Sequence, residues 1–157
     1  MKIGLHFSLG WGIPSKLISW FSAGPFSHVD CYWDDKTLLG ARSDRIGGVP
    51  AGVWPRPQAY EKWRKTLVLE LYATPAQYEL WHHFIELQIA KPYDSSAIWG
   101  FAFERNWRNC DAWYCSELQA AALEAAGLCP KLVTPANKIT PVTLATVVSA
   151  LGGVTVT

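Results

Sequence analysis

The strong strand signals of this chain all lie before Ala73 and its strong helix-start signals all lie after it, which restricts the fold to a block of strands followed by a block of helices. In the first block a β-rich run extends from His28 to Trp33. Asp34-Asp35-Lys36 turns the chain into a second strand, Thr37 to Arg42. Gly47-Gly48 and the prolines Pro50, Pro55 and Pro57 mark a loop or an edge strand, and Thr66 to Tyr72 reads as another strand. Ahead of the Gly24-Pro25 break, Ser15 to Phe21 reads as a short amphipathic helix.

In the second block Thr74-Pro75 starts a helix expected to run to about Ala90, with Thr74 as N-cap. Tyr78, Trp81, Ile85 and Ile89 make its buried stripe, and Glu79, His82, His83 and Glu86 a solvated face. A second helix begins near Cys115 and stops at Gly127. A third runs from Pro141 to about Leu151 with Thr140 as cap. A helix, then strands, then helices predicts an α+β fold, an antiparallel sheet packed against helices on one side. With 157 residues and no repeat or linker, the chain reads as a single domain over 1–157.

Charge and hydropathy exclude several functions. A net charge of +1 without any Lys/Arg run leaves no nucleic-acid footprint. Gly4, His6, Gly10, Gly12 and Pro14 break up any signal core. No apolar stretch approaches the ~18 residues of a membrane span. These features lead to the expectation of a soluble, cytoplasmic protein with no integral membrane segment. The four cysteines, Cys31, Cys110, Cys115 and Cys129, are too sparse for a disulfide scaffold and are expected to be reduced. No metal is expected, because the gap between Cys110 and Cys115 is longer than in zinc knuckles and no second pair follows. Nor does any motif imply another cofactor.

One segment carries chemistry: Trp113-Tyr114-Cys115-Ser116-Glu117-Leu118. Cys115 stands at the start of a helix, with Ser116 and Gln119 spaced as a capping box. A thiol there meets the positive end of the helix dipole and unpaired N–H groups, which lower a cysteine pKa and favour the nucleophilic thiolate. The N–H groups beside Tyr114 and Ser116 can also hold a developing oxyanion. Cys115, Leu118, Ala122 and Ala125 share the helix face expected to meet the sheet. The matching base is His28, in Ser27-His28-Val29-Asp30, where alternation sets His28, Asp30 and Tyr32 on one side and Val29, Cys31 and Trp33 on the other.

Ser27-His28-Val29 followed late in the chain by Tyr114-Cys115-Ser116-Glu117-Leu118 resembles the permuted, NlpC-type papain-like families, and most closely the YiiX/YaeF-like amidases. Further stretches fit: Leu39-Gly40-Ala41-Arg42-Ser43-Asp44, Gly47-Gly48-Val49, Lys91-Pro92-Tyr93-Asp94 and Ile139-Thr140-Pro141. The resemblance implies a circularly permuted papain-like fold and a cysteine hydrolase, amidase or peptidase, with Cys115 as nucleophile and His28 as base. The substrate it implies holds an amide or ester, such as a peptidoglycan peptide or a lipid-like acyl group. Trp11, Trp20, Phe21 and Trp113 are candidates to receive it; nine Trp in all suit an apolar or flat group.

The chain departs from the family at one position. The family places an acidic or polar third residue just before an Ala on the strand after the histidine; this chain has Gly40 before Ala41. The orienting group must come from elsewhere, and Asp30 ranks ahead of Asp44, with Ser43 close by. Two other functions are compatible with the same fold. One is a thiol acyltransferase of the lecithin:retinol acyltransferase-like type, and the other a non-enzymatic binding or structural module.

Overall fold

Between Ile3 and Leu9 the sequence alternates strictly, with Ile3, Leu5, Phe7 and Leu9 apolar and Gly4, His6 and Ser8 small or polar. A period of two is that of a half-buried strand. In the computed structural model, which describes residues 1–11, 24–95, 111–131 and 138–156, this run forms β1 (Lys2–Leu9). The glycine and histidine that interrupt an apolar signal core are therefore second-face residues of a strand. The helix expected over Ser15–Phe21 lies outside the described residues.

The elements that follow are β2 (His28–Tyr32), β3 (Thr37–Arg42), β4 (Gly52–Pro57), β5 (Lys65–Tyr72), α1 (Pro75–Glu86), α2 (Cys115–Ala125), α3 (Pro141–Ala150) and β6 (Val154–Val156). All strands join one antiparallel sheet in the order β4-β3-β2-β1-β5-β6. Among the described residues the class is thus α+β, a six-stranded sheet with three helices. The β2–β3 hairpin turns where expected, because Asp34 Oδ1 accepts the N–H groups of Lys36 and Thr37, both at 2.7 Å. Pro55 and Pro57 sit in β4, which the strand order puts at an edge where prolines cost no ladder bond.

The two faces of the sheet differ in chemistry. Ile3, Leu5, Phe7, Val29, Cys31, Leu39, Ala41, Val53, Leu69 and Leu71 join one buried core with Trp81 and Ile85 of α1, Leu118, Ala122 and Leu123 of α2, and Leu144 and Val148 of α3. The other face carries His6, Ser8, Asp30 and Arg56, all buried although polar.

Helix boundaries follow local hydrogen bonding. Thr74 Oγ1 accepts from Gln77 N at 3.3 Å and Gln77 Oε1 accepts from Thr74 N at 3.0 Å, a complete capping box for α1. The helix stops at Glu86, short of the expected Ala90. Ala90 N donates to Val53 O and Val53 N to Lys91 O, both at 2.9 Å, so pairing with β4 takes the backbone out of the helix. Ala90 accordingly has a φ of 72°. His82 is only half-solvated, since its ring stacks on Trp33 with centroids 4.1 Å apart. In α3 Thr140 caps as expected, its Oγ1 accepting from Thr143 N at 3.1 Å.

Two expectations for α2 are corrected. Its N-cap is Tyr114, and Glu117 Oε2 accepts from Tyr114 N at 3.4 Å, so Ser116 and Gln119 form no capping box. Instead Ser116 Oγ donates to Ile139 O, and Gln119 Nε2 donates to Leu39 O at 3.1 Å. These bonds tie α2 to the segment before α3 and to the sheet. Ala125 is exposed and Ala126 takes the buried position, as the 3.6-residue turn carries the buried face past Ala122.

Candidate active site

The polar face of the sheet gathers the chemistry. His28 opens β2 opposite Ser8 of β1, and Asp30 lies opposite His6. Alternation puts His28 and Asp30 on one side, about 6.6 Å apart along the strand, and their side chains close that gap. His28 Nε2 donates to Asp30 Oδ1 at 2.9 Å. Tyr60, from the segment between β4 and β5, donates its phenol to Asp30 Oδ2 at 2.6 Å. Trp63 lies over the group, nearly parallel to the His28 ring with centroids 6.0 Å apart, and edge-on to Tyr60 at 5.4 Å.

Asp30 fits because Gly40 of the neighbouring strand has no side chain. A Cβ at Gly40 would collide with Asp30 Oδ1 and lie 3.1 Å from its Cγ. The Asp30 carboxylate therefore fills the space that Gly40 leaves.

Cys115 approaches from α2. Its side chain interacts with those of His28 and Tyr114, and Tyr93 lies within its electrostatic reach. With Nε2 engaged by Asp30, the ring nitrogen left for Cys115 is Nδ1. The sulfur belongs to a residue only 1% exposed. A core-filling cysteine is buried to the same degree, and what sets Cys115 apart is its polar company.

The electrostatics bind the group together. Burial pushes the His28 imidazolium down, but the Asp30 charge and hydrogen bond, followed by the interactions with Cys115, outweigh it and raise His28 to about 9. Burial alone pushes the Asp30 carboxyl up, yet the His28 charge and hydrogen bond, the Tyr60 hydrogen bond and the nearby Arg42 bring it down to about 2. Cys31 shows the contrast: burial and the Asp30 charge push its thiol far up, and its Sγ donates to Leu39 O at 3.3 Å. Burial and Glu124 push the Cys129 thiol up to about 11.

The other expected site residues are placed as follows. Asp44 is not on the histidine: Arg42 Nε holds its Oδ1 at 2.8 Å and Arg42 Nη2 its Oδ2 at 3.0 Å. Ser43 is exposed on the same turn. Ser116 points away towards Ile139, while Tyr114 adjoins the sulfur. Trp113 is packed in the core, 7% exposed, with Nε1 donating to Gln88 Oε1 at 3.0 Å. Trp11 is 64% exposed and carries the Arg64 guanidinium 5.8 Å from its ring centre. Trp20, Phe21 and Cys110 lie outside the described residues.

Sequence reasoning missed Tyr60, Trp63 and His6, and gave Tyr93 no role. The available signal for Tyr93 was the Lys91-Pro92-Tyr93-Asp94 stretch; Tyr60 and Trp63 sit in a segment with no motif. No protein-family model matches the chain, and no curated protein matches it. The geometry sets a buried thiol near an imidazole that a buried carboxylate holds at one nitrogen. Such an arrangement can move a proton between sulfur and ring while the sulfur bonds to an electrophilic carbon.

Proposed function

We propose that the chain is a cysteine hydrolase of the permuted, NlpC-type papain-like kind, cleaving an amide or ester through Cys115. The observation that carries this reading is the His28 ring, bonded to Asp30 Oδ1 and within electrostatic reach of the buried Cys115 side chain. The order of elements supports it too, since the histidine strand precedes the cysteine helix and that helix packs on β2 and β3.

In the proposed reaction the Cys115 sulfur, its proton held by His28, bonds to the carbonyl carbon. The π pair moves onto oxygen, and the N–H groups of Cys115 and Ser116, which the helix leaves without intrahelical partners, stabilise the negative charge. Collapse breaks the bond to the leaving group, which departs with the proton from His28. His28 then takes a proton from water as its oxygen attacks the thioester, and release of the acid returns the proton to the pair. Asp30 keeps Nδ1 turned towards sulfur and supports the charged ring.

The test is stoichiometric iodoacetamide labelling with the modified residue mapped, beside intact-mass detection of an acyl adduct from p-nitrophenyl acetate. Both should occur at Cys115 and vanish in Cys115→Ser. Label mapping to Cys31, Cys110 or Cys129 ahead of Cys115 would overturn the assignment.

A further inference from the structure

The carboxylate that orients His28 is itself held by groups the proposed reaction does not use. Asp30 has two oxygens with separate partners: Oδ1 accepts from His28 and Oδ2 from Tyr60. Tyr60 is fixed in turn. Arg42 Nη1 donates to its hydroxyl at 3.2 Å, the guanidinium lies 5.2 Å from its ring centre, and Trp63 meets the ring edge-on. Arg42 cannot drift, because it also binds Asp44 at 2.8 and 3.0 Å and donates Nη1 to Glu61 Oε2 at 2.7 Å. On the other side the backbone of β3 at Gly40 walls the carboxylate, and Arg56 Nη1 donates to Gly40 O at 3.1 Å.

We propose that Tyr60, braced by Arg42, is a positioning residue for the Cys115–His28 pair, acting through Asp30, whose carboxylate occupies the space that Gly40 leaves. This rests on the cysteine-hydrolase reading above and deepens it. A carboxylate bonded only to the histidine is free to rotate about its Cβ–Cγ bond and offer either oxygen. With Tyr60 on Oδ2, one orientation is kept, and Oδ1 stays on Nε2. The third group of this site thus stands on the histidine's own strand, with glycine beside it on β3 and a phenol supplied from a distant loop.

Several ionisable groups face this cluster: His6 from β1, Asp30 beside His28 on β2, Arg42 from β3 with Asp44 from the turn after it, Arg56 from β4, Tyr60 from the β4–β5 segment, and Cys115 from α2 with Tyr93 near it. A titration of His28 therefore reports on the whole group, and substitutions must separate the contributions. Tyr60→Phe removes one oxygen and keeps the ring that packs on Trp63 and Arg42. Gly40→Ala pushes on Asp30 from the opposite side.

The experiment is an NMR titration of the histidine rings in the full chain, with Cys115 alkylation rates measured at pH 6. In the unsubstituted protein His28 should titrate near 9, and Cys115→Ser should lower it. Tyr60→Phe and Gly40→Ala should each lower the His28 midpoint by a part of the about 1–3 units that an opposite charge at hydrogen-bond distance is worth, because each lets the carboxylate turn or shift away from the ring. Both should slow Cys115 alkylation, whereas a Tyr60 that only packs would leave the midpoint in place. An unchanged or raised midpoint in folded Tyr60→Phe, while Cys115→Ser still lowers it, overturns the role of Tyr60 and leaves the pair standing. A His28 midpoint indifferent to Cys115→Ser overturns the pair and Tyr60's role with it. If Tyr60→Phe does not fold, Gly40→Ala decides by the same readings.

Discussion

Cys31 and Cys115 are both buried in one core, yet their sulfurs meet different chemistry. Cys31 lies on the apolar face of β2 and donates to a backbone carbonyl, whereas Cys115 meets an imidazole and a phenol. Iodoacetamide should therefore modify Cys115 well before Cys31 or Cys129, whose thiols burial pushes up. Peptide mapping across a time course checks that order. Asp30→Asn should slow Cys115 alkylation at pH 6 by roughly tenfold or more, since one pH unit in the partner's midpoint is a factor of ten. Asp44→Asn should change the rate little, because Asp44 is held by Arg42 and not by the ring; equal losses in the two variants would refute Asp30 as the orienting group. Asp30 was legible in the sequence because strand alternation alone sets it beside His28. Tyr60 was not, as nothing local in a segment of turns shows that its phenol returns to a strand so far back in the chain.

At the scale of elements, legibility followed the range of the forces involved. Thr74-Pro75 and Thr140-Pro141 start helices through bonds to residues three positions on, so both caps are readable from the sequence. The early end of α1 is not, because it depends on Val53 of a distant strand capturing Ala90 and Lys91. Strand β1 went unread for another reason: its alternation was masked by glycine and histidine, residues that read as breakers until the polar face is known. Strand β6 is short, fully exposed and paired only with β5, which leaves no pattern to find. Two stability changes follow from the elements. Thr74→Ala should cost about 1 kcal/mol by removing the cap, and Leu118→Ala roughly 2–5 kcal/mol, because Leu118 is completely buried where α2 meets the sheet. Urea unfolding of each variant measures both, and a Leu118→Ala loss no larger than that of Thr74→Ala would contradict the packing of α2.

For the molecule as a whole, the buried polar face makes stability a function of pH, with signs that can be worked out group by group. His28 is raised from 6.5 to about 9, so the folded state holds its proton more tightly than the unfolded chain. That contribution is fully present below 6.5 and is lost as pH rises through about 9. Asp30 is lowered from 3.8 to about 2, so its contribution is present above 3.8 and is lost as pH falls through about 2. Both shifts report largely the same bond and must not be added; together they reflect on the order of 3 kcal/mol. His6 works the other way on the acid side. Burial lowers it, so the unfolded chain takes up its proton first and stability declines as pH falls below 6.5. Cys31 and Cys129, raised by burial, weaken the fold only as pH rises past the ordinary thiol value of 9.0, mostly above the His28 range. The stretch from 6.5 to 9 therefore belongs chiefly to His28. Urea unfolding at intervals from pH 5 to pH 9.5 should show stability falling across that stretch, and His28→Gln should flatten the fall. The informative quantity is the difference between the two proteins, from which the Cys31 and Cys129 contributions cancel, while His6, which the His28 charge also pushes down, adds a smaller part on the acid side. It should be largest near pH 6 and shrink towards pH 9, and a difference constant with pH would mean that His28 carries no extra proton in the folded state.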